Sequence, residues 1–248
     1  MKDELAKLLG KLSEVLNFLD FSFMISGSVG TMILYWCLFH SISTFQVDIT
    51  KINFALLVFC MVVISYVLGH ALGILGRGLR FCFKKATKCC FCRVFFYYDM
   101  LGTWNELIKR YDFEHCTDET LKDICKNITN GDKLSGEVYV ELENQVKDKY
   151  TFLWNFLYAK KEAMGRLTHI NRYWGMQKMY EGLLVDALLA LVLLFLLYGY
   201  NCINIPCWLL LFSIVCLVFV FFAFCYEANK CAKTQLEEVM SACRVYSY

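Results

Sequence analysis

A single proline in 248 residues leaves the chain almost nothing that would forbid helix. No apolar–polar alternation of strand length runs along it either, so an all-β sandwich or barrel is a poor reading. Charge is also scarce. Asp, Glu, Lys and Arg make up 19% of the residues and the formal net charge is only +2. That balance gives no general basis for binding a polyanion, and no nucleic-acid partner is expected. Only four histidines are present. No nucleophile, base and orienting group can be assembled from sequence pattern, and His40 and His169 have no ligand-like spacing. Catalytic residues, a metal and a cofactor are therefore not expected, nor is an enzyme.

Apolar residues are abundant. They form 58% of the chain, with 17% aromatic, against about 45–50% apolar for soluble chains. Four runs approach the ~20 residues that cross a hydrocarbon core: Phe21–Ile42, Ile52–Leu75, Leu183–Tyr200 and Cys207–Tyr226. Tyr35, Trp36, Tyr198, Tyr200 and Trp208 stand near their ends, where aromatic rings favour the interface. The first run is too long for a cleavable leader and acidic residues precede it, so no signal peptide is expected.

Basic residues set the orientation. Arg77, Arg80, Lys84, Lys85, Lys88 and Arg93 follow the second run, and Arg172 and Lys178 precede the third. Lys230 and Lys233 follow the fourth. The remaining two loops hold only Lys51. The positive-inside rule then predicts both termini and the middle segment in the cytoplasm. The expected organisation is an all-α membrane protein. An amphipathic helix at 1–19 precedes a transmembrane hairpin at 20–78. A helical cytoplasmic domain covers 79–180, a second hairpin 181–227 and a C-terminal tail 228–248. The 1–19 helix carries Leu5, Leu8, Leu9, Leu12, Val15, Leu16 and Leu19 on one stripe. In the middle segment, Leu101, Trp104, Leu107 and Ile108 predict one helix, and a short one is expected from Thr117 to Asn130-Gly131. A long helix from near Gly136 is predicted to run on into the third span, because no proline interrupts it.

Residues 69–93, GHALGILGRGLRFCFKKATKCCFCR, raise three readings. A nucleotide cradle would need G-x-G-x-x-G after a strand, or Gly-Lys-Ser/Thr, and neither is present. Gly69, Gly73 and Gly76 instead lie on one helical face where a second backbone could approach. Gly27 and Gly30 in the first run are the expected partner surface. Cys82, Cys89, Cys90 and Cys92 are read as reduced thiols, with one C-x-x-C knuckle, to which Cys116, Cys125 and His115 could add, or lipid acylation as alternatives. On the outer side Cys202 and Cys207 could form a small disulfide.

His70 and Asp186 fall within spans, and Glu181 lies just below Asp186. Ionisable groups at this depth cost several kcal/mol unless paired or hydrated. They either snorkel and bond locally, or mark a pore or gate in which His70 and Asp186 meet. Arg77, Arg80, Arg166, Arg172 and Trp174 form an expected collar for anionic headgroups or a phosphorylated signal.

Four spans with cytoplasmic termini and a large cytoplasmic loop resemble connexin-like channels in topology. The first outer loop, 43–51, lacks the cysteines those families carry. In layout and size the chain resembles small bacterial four-span effectors of anti-phage defence, which disrupt the inner membrane. That resemblance implies a bacterial inner-membrane protein acting on permeability after a cytoplasmic signal, as a homo-oligomer in the lipid bilayer. A channel or pore of that kind is the first functional expectation. The second is a non-conducting membrane scaffold or sensor that docks a cytosolic partner protein.

Overall fold

The computed structural model describes residues 18–41, 54–86, 98–113, 116–126, 128, 136–200 and 205–247. The predicted 1–19 helix lies almost wholly outside them, as do Cys89, Cys90, Cys92, His115 and Cys202. Every regular element among the described residues is helical. The helices are α1 (Phe18–Ser41), α2 (Phe54–Ala86), α3 (Met100–Tyr111), α4 (Glu119–Ile124), α5 (Gly136–Ala159), α6 (Met164–Gly199) and α7 (Cys207–Val245). Three of them, α2, α6 and α7, are long and apolar enough to cross a membrane, while α1 contributes a shorter apolar stretch, Phe21–Tyr35.

The residues form two compact units. One contains α1, α2, residues 175–199 of α6 and residues 207–229 of α7. The other contains α3, α4, α5, residues 164–174 of α6 and residues 230–245 of α7. Two helices therefore supply both units. At 1.5 Å per residue, the 39 residues of α7 extend about 58 Å, nearly twice the ~30 Å hydrocarbon core. Its first twenty residues, 207–226, carry no charge, and the charged residues begin at Glu227. The segment read from sequence as a C-terminal tail is thus mostly the second half of α7.

In the second unit, local chemistry sets the helix starts. The Asp99 carboxylate accepts from the Gly102 N–H at 2.8 Å and opens α3, and Lys109 and Arg110 suit its C-terminal dipole. The Asp118 carboxylate accepts from the N–H groups of Thr120 and Leu121 and opens α4. That helix stops at Ile124, earlier than predicted. Cys125 turns into the core, and the Asn105 side chain both donates to and accepts from the Ile128 backbone. The expected long helix from Gly136 is also broken. Lys160 is extended and a 3-10 turn, Lys161–Ala163, follows. Leu153 and Leu157 before the break, and Ala163, Leu167 and Ile170 after it, are all buried in one cluster. Burial of both stripes in a single core outweighs the local preference for an unbroken helix. Trp104, Leu107 and Leu121 join that cluster, and α7 adds Leu236, Val239, Met240 and Cys243.

The first unit has a smaller apolar cluster, built on Leu72, Leu184, Val185 and Cys225. Its wall is apolar and open: Ile74, Leu211, Phe212 and Phe219 are among its largely exposed side chains. The helix α2 does not end at Leu75 as a span would. It carries Arg77, Arg80, Lys84 and Lys85 as further helical turns.

Candidate functional site

The contacts inside the first unit are made by its smallest residues. A Cβ at Gly27 would overlap the Ser65 carbonyl on α2, and one at Gly69 would overlap the Phe23 carbonyl on α1. One at Gly76 would overlap the Glu181 carbonyl on α6. The glycine face of α2 therefore serves two neighbours, α1 through Gly69 and α6 through Gly76. Gly73, expected to act with them, is looser, since its nearest neighbour is the Phe23 ring at 3.5 Å. On α6, a Cβ at Gly182 would lie 2.6 Å from Ser26 Oγ of α1. On α1, a Cβ at Gly30 would lie 2.7 Å from Asp186 Oδ1.

Between these contacts lies an ion cluster. Glu181 is 1% exposed. Its Oε1 accepts from Arg80 Nη1 at 2.6 Å and from Gln177 Nε2 at 3.0 Å, and its Oε2 accepts from Lys178 Nζ at 2.6 Å. Arg77 Nε stands 3.9 Å away. The second arm of the Arg80 guanidinium donates to Asn229 Oδ1 on α7. A buried carboxylate costs several kcal/mol in lost hydration, and charge-assisted hydrogen bonds return about 1.5–3 kcal/mol each. Three such bonds are enough to hold Glu181 in place. The Arg80 bond to Glu181 joins α2 to α6, and the Arg80 bond to Asn229 adds α7. Arg80 is thus committed inside the unit and is not a free headgroup ligand.

Asp186 is different. It is also 1% exposed, yet neither carboxyl oxygen has a hydrogen-bond partner among the described residues. The predicted meeting with His70 is not formed. The His70 ring stacks on Phe23 at 3.7 Å and meets Tyr66 edge-on at 4.7 Å. One turn from Asp186 along α6, Ala190 lines an apolar cavity of about 520 Å³ between α1, α6 and α7, with Met32, Ile33, Leu194, Phe212 and Cys216.

The other predicted collar residues belong to the second unit. Arg166, Arg172 and Trp174 are all exposed on α6, and the His169 ring meets Tyr173 edge-on. Among the described residues no group of His, Cys, Asp and Glu is arranged to hold a metal ion. Cys82 and Cys207 are exposed free thiols. Cys116 and Cys125 are buried free thiols, and burial pushes the Cys125 thiol up to about 12, so it stays protonated and unreactive.

Sequence pattern missed two parts of this site. The i, i+3 spacing of Lys178 and Glu181 was visible, but the Arg80 partnership joins residues 101 apart. Asn229 carried no signal at all. No protein-family model, curated protein or solved structure matches the chain.

Proposed function

We propose that this chain is a membrane-permeability effector: a channel-like protein whose helical second unit receives a cytoplasmic signal and whose first unit responds in the bilayer. The observation that carries the reading is Asp186, an acid buried with no hydrogen-bond partner among the described residues, in a helix long and apolar enough to span. Structural stability gains nothing from such a group, since an apolar residue of similar size would pack there at lower cost. Ionisable residues at membrane depth are by default candidate functional groups, and ion and proton paths are among the roles they serve. The neighbouring cavity and the glycine contacts supply room and close-packed surfaces for α1 and α6 to shift. Helices α6 and α7 have residues in both units, which gives a signal a covalent route.

On this reading α1, α2, α6 and α7 all cross the bilayer, the basic end of α2 faces the cytoplasm, and several copies assemble around the conducting path. The layout resembles that of small four-span anti-phage effectors, and that likeness supports an inner-membrane location in a bacterium. The test is ion flux from the purified full-length protein in liposomes, with particle mass measured on the same sample. Flux from a discrete oligomer supports the proposal. A monodisperse monomer that never conducts, with or without cytosolic extract, would overturn it and leave the scaffold reading in its place.

A further inference from the structure

We infer that Asp186 is a proton-binding site that controls the contact between α1 and α6. The inference rests on the permeability reading and names its chemistry. The carboxyl lies against Gly30 of α1, and the same glycine meets Leu68 and Leu72 of α2. Both of its oxygens lack a hydrogen-bond partner among the described residues.

The charges of the surrounding helices are committed elsewhere. On α6 itself, Lys178 bonds to Glu181. On α2, Arg80 bonds to Glu181 and Arg77 stands beside it, while the His70 ring stacks on Phe23 and meets Tyr66 edge-on. On α1, the residue facing the carboxyl is Gly30, and Ser26, a turn away, donates to the Phe23 carbonyl. From α7, the residue clustered with neighbouring Val185 is the Cys225 thiol. Among the described residues no hydrogen-bond donor compensates a negative charge, and no group of His, Cys, Asp and Glu is arranged to hold a metal cation. The ligand that fits is the proton, which leaves a neutral acid in an apolar contact.

Loss of that proton places a bare carboxylate against Gly30 and two leucines. Water must then enter, and α1 must part from α6 at this level. The contact is therefore closed at low pH and opens as pH rises.

The test is infrared spectroscopy of the full-length protein in phosphatidylcholine vesicles, titrated from acidic to alkaline pH. The C=O stretch of a protonated carboxylic acid should persist well above the pH at which exposed carboxylates ionise. Asp186→Asn should remove that band completely. Asn has the same shape and keeps the neutral state, so this variant should retain the wild-type particle mass and helix content. If no Asp186-dependent acid band survives above the ordinary carboxylate range, the inference is wrong. The same holds if the site ionises only together with bound sodium or potassium. The readout does not depend on flux. A band without any conduction would sink the permeability reading alone, and conduction without the band would sink this inference alone.

Discussion

In the unit of α3, α4 and α5, the centre is filled by Trp104, Leu107, Leu121, Leu153 and Leu157, all buried. In the unit of α1 and α2, the closest contacts belong to Gly27, Gly69, Gly76 and Gly182, and large side chains such as Ile74, Phe212 and Phe219 are exposed. On the proposed reading, with the first unit in the bilayer and the second in water, the difference follows from the solvent. Water drives large apolar side chains together at about 25 cal/mol per Å² buried. Lipid does not, because its tails are as apolar as leucine. Helices in a bilayer associate through close backbone approach and polar bonds instead. The first unit has both, in its glycines and in the Glu181 cluster.

Four substitutions break or sharpen that contrast. The largest effect is expected at Gly76→Leu, where the new side chain meets the Glu181 backbone. Its cost should exceed the ~3 kcal/mol usual for overpacking, and denaturing-detergent titration should show the first unit already open. Gly78→Leu is the control, since nothing lies within 4 Å of a Cβ there. Next comes Glu181→Gln, which leaves Lys178 and Arg80 buried beside a neutral amide. A loss of about 3–5 kcal/mol is expected, read in the same titration. A loss under 1 kcal/mol would mean that glycine contacts alone hold the unit.

In the other unit, Trp104→Ala should cost about 3–5 kcal/mol in chemical unfolding of the full chain. The same deletion on the outer wall of the first unit, Phe219→Ala, should cost almost nothing, because that ring is 74% exposed. Equal losses at the two sites would erase the contrast between the units. Smallest of the four, Asp118→Ala removes the acceptor for the Thr120 and Leu121 N–H groups. About 1 kcal/mol should be lost, with local hydrogen exchange rising in α4 and unchanged in α1.

Much of this architecture was legible in the sequence. Uninterrupted apolar runs marked the long helices, and the glycine spacing on α2 marked a contact face. The stripe of Leu101, Trp104, Leu107 and Ile108 marked the buried side of α3. What escaped depended on tertiary context. The break at Lys160 has no proline or glycine to announce it, and arises because both flanking stripes bury in one core. The second half of α7 did carry a signal, Leu236, Val239, Met240 and Cys243 at three- and four-residue spacing, which its polar neighbours obscured. Asp186 was conspicuous as an acid within a long apolar run. That it has no hydrogen-bond partner among the described residues, while Glu181 is held by Arg80, Gln177 and Lys178, could be read only from the packing.

The most direct test of the account compares ion flux through wild-type and Asp186→Asn protein in liposomes as pH is raised. The account predicts that wild type begins to conduct, and that the variant, equally inserted and of equal mass, does not. Indistinguishable flux from the two proteins, or none from wild type at any pH, would contradict it.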